Sequence, residues 1–300
     1  MAEKQFWSKA LERSDQAWKS GALIPLSTSN IKLSGTGAEH FELRQLNAAL
    51  PRHHRPEGPK PNPFLPWDPR LEVERIHHSH VLILNKYPVQ RAHMLLITRC
   101  WASQVHWLSP EDWRALAHVD SDCTGLWFFN SGPRAGASQP HRHLQLLPRH
   151  RGERICPRQS WFTEQLQMTA TAALNCEGQT IDPLHQSCVI AERPLSKNPD
   201  EEATLLHDLY RSLSSRLGLG DALSQEPPAF PYNLLMTESW MALISRSQEH
   251  VMGFSINALG FAGYLLATQR SDLSWLQSHG GEQLLRRVVP GSSDSTEELN

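Results

Sequence analysis

The sequence predicts an α+β protein, an antiparallel sheet with helices packed against it. Three observations carry that reading. Short apolar runs of strand length, "HVLILN" (80–85), "HMLLIT" (93–98) and "LWFFN" (126–130), are separated by connecting segments. "SPEDWRALAHV" (109–119) opens as a helix should, with Ser109 at the N-cap, Pro110 at N1 and Asp112 at N3. "HRHLQLLP" (141–148) sets His141, His143 and Gln145 at alternate positions, which is the strand period, so the three side chains leave one face.

The other elements follow in order. Residues 3–19 read as an amphipathic helix with Phe6, Trp7, Ala10, Leu11 and Trp18 along one side. Residues 51–66 are too rich in proline for helix or central strand and should run as an extended surface segment. The runs at 80–85 and 93–98, joined by "KYPVQRA", should be adjacent antiparallel strands. Further along, "QSCVIAE" (186–192), "YNLLMT" (232–237) and "WMALIS" (240–245) read as strands. Between them, "PDEEATLLHDLYRSLSSRLGL" (199–219) is a helix opened by Pro199 and three acids, with Leu205, Leu209 and Leu213 along one face. "INALGFAGYLLA" (256–267) places Asn257, Gly260 and Gly263 in an apolar context, a sign of tight packing or of backbone close to another group. "GSSDSTEELN" (291–300) reads as a disordered tail.

Composition narrows the function. Lys+Arg 29 against Asp+Glu 31 leaves no global pull toward nucleic acid or anionic membrane, and the basic residues are scattered rather than grouped. The longest apolar runs are far too short to span a bilayer, and the N-terminus has no signal-peptide core. Cys100, Cys123, Cys156, Cys176 and Cys188 form no Cys-x-x-Cys pair and are odd in number, which reads as reduced thiols in a cytoplasmic protein.

The chemistry centres on the alternating triplet. A neutral imidazole is a good nucleophile near neutral pH, and phosphorus is a suitable electrophile for it. Attack would leave a histidine carrying a nucleotidyl group as a phosphoramidate. His143, in the middle, is aligned if a neighbour holds its second ring nitrogen, either His141 on the same face or a backbone carbonyl. Gln145 can donate to a phosphate oxygen without adding a titrating group. In the preceding loop, Gly136, Ala137, Ser138 and Gln139 should present backbone N–H groups with little obstruction, plus a hydroxyl and an amide. Fixed donors of that kind meet the charge that develops on phosphate oxygens. Asn130, at the end of the strand before, is placed to touch a ribose or phosphate.

Two plainer readings compete. His141 and His143 could hold zinc, but further ligands would have to come from His77, His78, His80 or His93, none of which is spaced with a cysteine or acid as a site requires. A His-x-His by itself is most often a polar strand face. The loop, the closing glutamine and the strand context together favour catalysis over both. No Walker or Gly-x-Gly-x-x-Gly cradle is present.

The stretch "FFNSGPRAGASQPHRHLQLLP" (128–148) resembles the active-site segment of the histidine-triad superfamily, and within it the diadenosine tetraphosphate phosphorylases, also called ATP adenylyltransferases. "NPFLPWDPRLEV" (62–73) and "VLILNKYPVQRAHMLLITR" (81–99) agree, while "PYNLLMTESWMALISRS" (231–247) and "INALGFAGYLLA" are similar to the family's C-terminal portion. The resemblance implies a histidine-triad-like sheet at 1–160, extended by a C-terminal portion at 161–290 within one compact unit. It matches His143 to the nucleophile and Gln145 to the residue replacing the last histidine of the triad, with His141 beside them. Asn85, Lys86, Asn130, Gly136, Ala137, Ser138 and Gln139 match substrate-contacting positions, and Asn257 and Gly260 match more loosely. His93 falls where related proteins keep a histidine, here with an expected structural role, and His77, His78 and His80 are expected at the surface or behind the site.

The implied reaction is nucleotidyl transfer in two displacements. His143 attacks the α-phosphate of a substrate such as diadenosine tetraphosphate (Ap4A) and ATP departs; inorganic phosphate then takes the adenylyl group and leaves as ADP. A divalent cation such as Mg²⁺ would be carried by the substrate's phosphates, with no metal held by the protein itself. Nucleotides and phosphate are then the partners, with no nucleic acid and no membrane, and the oligomeric state is left open. Two rivals share these features: uridylyl transfer of the galactose-1-phosphate uridylyltransferase kind, and a non-catalytic nucleotide sensor.

Overall fold

The computed structural model describes residues 5–35, 37–47, 62–150, 152–171 and 182–291. In chain order its helices are α1 (Gln5–Lys19), α2 (Pro110–Asp122), α3 (Gln159–Thr171), α4 (Pro183–Gln186), α5 (Pro199–Arg216), α6 (Ala258–Phe261) and α7 (Leu273–Arg286). The strands are β1 (Thr28–Ile31), β2 (Glu42–Leu46), β3 (Glu72–Ile76), β4 (His80–Leu84), β5 (Met94–Thr98), β6 (Gly125–Asn130), β7 (His143–Pro148), β8 (Cys188–Glu192), β9 (Tyr232–Met236), β10 (Trp240–Ser245), β11 (His250–Val251), β12 (Phe254–Ser255) and β13 (Tyr264–Ala267).

Eight of these strands form one antiparallel sheet in the order β3-β4-β5-β7-β6-β9-β10-β8. The expected hairpin of 80–85 with 93–98 is present, with Leu82 opposite Leu96. The sheet runs unbroken past residue 160, because β6 pairs with β9. A second sheet, β1-β2-β13, joins the two ends of the chain through a parallel pairing of Leu43 with Leu265.

The sheet is buried on both faces, so its central strands are apolar throughout rather than alternating. Trp127 and Phe129 enter a core beneath α1, α2 and α5, while Leu126 and Phe128 enter a second core with α3, α7 and β13. Ser109 and Asp112 close a reciprocal capping box at the start of α2, as the sequence requires. A buried ion network links the halves: Arg193, just after β8, reaches Asp120 of α2 at 2.7 Å and Glu202 of α5 at 2.6 Å. Removing one partner of such a group strands a buried charge, at a cost of about 3–5 kcal/mol.

Several expectations are corrected. The helix at the N-terminus buries Phe6, Ala10, Ser14 and Ala17, while Trp18 is 65% exposed; the apolar stripe is set by the i, i+4, i+7 rows rather than by the tryptophan. In α5 the buried face is Ala203, Leu206, Tyr210 and Leu213, turned from the expected stripe, so Leu205 and Leu209 are only partly covered. Residues 51–61 of the proline-rich segment, Cys176 and residues 292–300 of the expected tail lie outside the described residues. No helix among the described residues is long and apolar enough to cross a membrane.

Candidate active site

β7 lies mid-sheet between β5 and β6, and its two faces do different work. Arg142, just before it, points to the α2 face, where Nη1 donates to Asp112 Oδ2 at 2.7 Å and Nη2 to the Ser103 carbonyl at 2.8 Å. His80 Nε2 meets Asp112 Oδ1 at 2.9 Å, so the N3 residue that caps α2 also anchors the start of β7 from behind. Burial would raise the Asp112 carboxyl, but the His80 hydrogen bond and the Arg142 and His80 charges outweigh it and hold it at about 2. His80 is thus buried and paired behind the site, the second of the two places expected for it.

The opposite face carries the triplet. The register of β6 with β7 runs from Gly125–Pro148 to Phe128–Gln145 and then stops. Continued, it would set Asn130 opposite His143, but the Gln104 amide is inserted there. Its Nε2 donates to the carbonyls of Asn130 (2.8 Å) and His143 (3.2 Å), and its Oε1 accepts from the His143 N–H (2.8 Å). A side chain, 1% exposed, replaces a strand partner and opens the sheet at His143.

The tautomers of both histidines follow from their fixed neighbours. His143 Nδ1 lies 2.7 Å from the His141 carbonyl, which can only accept, so Nδ1 carries the proton and Nε2 keeps a lone pair. A backbone carbonyl therefore does the aligning, not the His141 ring. Burial pushes the His143 pKa down to about 4, so the ring is neutral at physiological pH. His141 has the opposite tautomer. Asn62 Oδ1 accepts from the Phe64 N–H, which turns its Nδ2 toward His141 Nδ1 at 3.0 Å. His141 Nε2 then donates to the Thr98 carbonyl at 2.8 Å. Both its nitrogens are occupied, so His141 has no lone pair to attack with. Phe64 packs on both rings, with centroids at 5.6 and 5.4 Å.

Gln145 is oriented by a relay. Asn85 Oδ1 accepts from the Tyr87 N–H at 3.0 Å, which directs its Nδ2 to His93 Nδ1 at 3.3 Å. His93 Nε2 must then bear the proton, and it donates to Gln145 Oε1 at 3.0 Å. Burial depresses His93 to about 3, so it stays neutral and the relay keeps one sense. The Gln145 amide nitrogen, unengaged among the described residues, is left with two donors.

The donor loop differs from its expected form. Gly136 N–H donates to Pro133 O (2.8 Å) and Ala137 N–H to Gly132 O (2.9 Å), which closes a tight turn. Gly136 sits at φ 84°, and a Cβ there would meet Asn257 Cβ at 2.6 Å, so glycine is required twice over. The N–H groups of Ser138 and Gln139 are left unengaged among the described residues, with Ser138 exposed and Gln139 buried. Asn130 is buried, and its Oδ1 accepts from Asn233 Nδ2 and the Ala258 N–H. Asn257 caps α6 through the Leu259 N–H, and Gly260 leaves room for Ile256. Lys86 is exposed at the end of β4, its Nζ 5.8 Å from the Tyr87 ring centroid.

The chain thus gathers the triplet, Asn85 and the loop, and it adds Asn62, Phe64 and Gln104, which no spacing in the sequence signals. Among the described residues no group of three or more His, Cys, Asp and Glu could hold a metal ion.

Comparison with known proteins gives the family and the fold. Residues 183–290 match the ATP adenylyltransferase C-terminal domain. Among curated proteins of Saccharomyces cerevisiae, Protein APA1 is 28% identical over 209 residues, 63% of this chain and 61% of the relative. Diadenosine 5',5'''-P1,P4-tetraphosphate phosphorylase 2 is 30% identical over 212 residues, 65% of this chain and 64% of the relative. The matched region therefore spans less than two thirds of either yeast protein. The crystal structure of yeast Ap4A phosphorylase Apa2 with AMP superposes with a TM-score of 0.70 at 24% identity, covering 96% of both chains. That of Apa2 with Ap4A gives 0.66 at 23%, covering 96% of this chain and 97% of the other. They share the α+β, histidine-triad-like fold. Residues 1–164, more than half of the sequence, match the Ap4A phosphorylase N-terminal domain, and the chain belongs to the Ap4A phosphorylase family.

Proposed function

We propose that this chain is a nucleotidyltransferase that phosphorolyses diadenosine tetraphosphate to ATP and ADP. The observation that carries the reading is His143, buried and neutral, with Nδ1 tied to the His141 carbonyl and the Nε2 lone pair engaged by none of the described residues. Nε2 attacks the α-phosphorus, the P–O bond to the next phosphate breaks, and its electron pair departs on ATP. The Nδ1–H bond stabilises the cationic ring of the intermediate. Phosphate then attacks the same phosphorus, the N–P bond breaks, and ADP leaves. Gln145 Nε2 and the N–H groups of Ser138 and Gln139 are the donors for the phosphate oxygens. A divalent cation, carried by the substrate's phosphates, would neutralise the leaving chain. A reducing cytoplasmic setting suits Cys100, Cys123, Cys156 and Cys188, which form no disulfide among the described residues.

The test is incubation with Ap4A and Mg²⁺, with and without phosphate. ATP plus ADP are expected, with turnover dependent on phosphate; AMP in place of ADP would identify a hydrolase, and no turnover would leave a binding protein. Without phosphate, label from α-³²P substrate should stay on the protein and be released by acid, and initial rates should give parallel double-reciprocal lines. Intersecting lines with no retained label would replace the two-step scheme by direct transfer.

The buried histidine also sets the pH dependence. In a two-step scheme kcat/KM for Ap4A reports only the first step, so the titration of the phosphate acceptor does not enter. With His143 at about 4, kcat/KM should be nearly flat from pH 8 to pH 5, whereas an ordinary histidine would lose more than tenfold by pH 5. An acid limb near 6.5 in protein still folded by circular dichroism would show that the nucleophile is solvated. Below the unfolded value of 6.5 the unfolded chain binds protons that native His93 and His143 refuse, so stability itself falls as pH drops.

A further inference from the structure

An indole lies open beside the catalytic strand. Trp101, on the segment that follows β5, is 56% exposed, yet its ring meets the His141 ring edge-on with centroids at 5.5 Å. Val105 on the same segment is 42% exposed and stands against Gly132 at the start of the donor loop. The backbone between them is fixed. Ser103 bridges to His141, Gln104 is inserted beside His143, and Arg142 holds the Ser103 carbonyl. The aromatic surface is therefore presented by a rigid support, and among the described residues only the edge-on His141 ring is recorded against it.

We infer that the open face of Trp101 stacks the purine base of the departing nucleotide, the second adenine of a dinucleoside polyphosphate. The inference rests on the reaction proposed above and assigns its second base. The adenylyl half held on His143 must wait for phosphate and be kept from water, which suits a closed pocket. The departing half is released in every turnover, which suits a contact with one face in solvent. His141 is two strand positions from His143, roughly 7 Å, so the indole stands within reach of a polyphosphate chain leaving the α-phosphorus. The Gln145 end of the triplet is instead bordered by Asn85 and His93, which offer amide and imidazole rather than a free ring face. Stacking needs no directional partner on the base and is sequence-tolerant for that reason.

The experiment compares two substrates that differ only in the departing group: Ap4A, which loses ATP, and adenosine 5'-tetraphosphate, which loses tripolyphosphate and has no second base. Trp101→Ala should lower kcat/KM for Ap4A by roughly 5- to 150-fold, mainly through KM, and leave kcat/KM for adenosine tetraphosphate unchanged. Trp101→Phe should restore most of the loss. An equal loss on both substrates would overturn the inference, since the indole would then act through the His141 ring; an unchanged KM for Ap4A would overturn it as well. If the wild-type chain turned over neither substrate, the proposed reaction would fail by itself. Calorimetric titration with Ap4A would then still decide the platform: Trp101→Ala weakens binding by the same factor, or the base is held elsewhere.

Discussion

Replacing His143 with alanine should lower phosphorolysis of Ap4A by about a thousandfold or more, because His143 Nε2 is the proposed nucleophile and His141, the neighbouring ring among the described residues, has no lone pair to replace it. The expectation is sharpened by the site. His141 holds a donor from Asn62 on one nitrogen and gives its only proton to Thr98 on the other, so it cannot substitute. His143 is 4% exposed and packs on Phe64, so it is part of the core and not an exposed side chain without packing. Alanine there leaves a gap and an unpaired His141 carbonyl, and a cost of about 1–3 kcal/mol in stability is expected beside the loss of chemistry. His143→Asn separates the two effects. Its side-chain N–H₂ can keep the bond to the His141 carbonyl while offering no nucleophile, so it should fold as wild type and be as inactive as alanine. Steady-state rates and melting temperatures of the two variants and of His141→Ala make the check. Near-wild-type turnover by His143→Ala alongside an inactive, folded His141→Ala would reverse the assignment.

What was legible in the sequence is what has a short period. The alternation of His141, His143 and Gln145 places three side chains on one face wherever the strand lies in the sheet, and the Ser109–Asp112 cap is a relation across one helical turn. The apolar runs of β4, β5, β6, β9 and β10 are legible because central strands bury both faces. β1 and β2, half exposed and mixed in composition, give no such signal, and α7 is interrupted by Gly280 in the left-handed region at φ 81°. The groups that set the site's electronics are long-range. Gln104 reaches His143 and Asn62 reaches His141 only because the fold brings their segments back to β7. Trp18 misled for a related reason: amphipathic spacing names an axis, and the packing partner decides which rows along it are buried.

Gln145→His should shift the acceptor from phosphate toward water. In the wild type, His93 Nε2 donates to Gln145 Oε1, and the amide N–H₂ is then the group offered to the proposed reaction. An amide can orient a phosphate oxygen, but it has no pKa in the working range and cannot take a proton from water. Phosphate is already an anion and needs only to be placed, so a site made of donors favours it over water despite water's far greater concentration. A histidine at 145 changes both terms. Its ring can accept from His93 Nε2 through one nitrogen, which puts a proton on the other and costs the site one of two donors. In the alternative tautomer it presents a lone pair to solvent and can act as base toward water. The ratio of AMP to ADP should therefore rise, by roughly 10²-fold if the new base contributes as general bases commonly do, while adenylylation of His143 slows less. The measurement is product analysis from α-labelled Ap4A at one phosphate concentration, with Gln145→Glu as a second base of different geometry. An AMP to ADP ratio unchanged in both variants, with the protein folded and still labelled on His143, would move acceptor choice away from Gln145 to the N–H groups of Ser138 and Gln139, where Ser138→Pro would be the next substitution to measure.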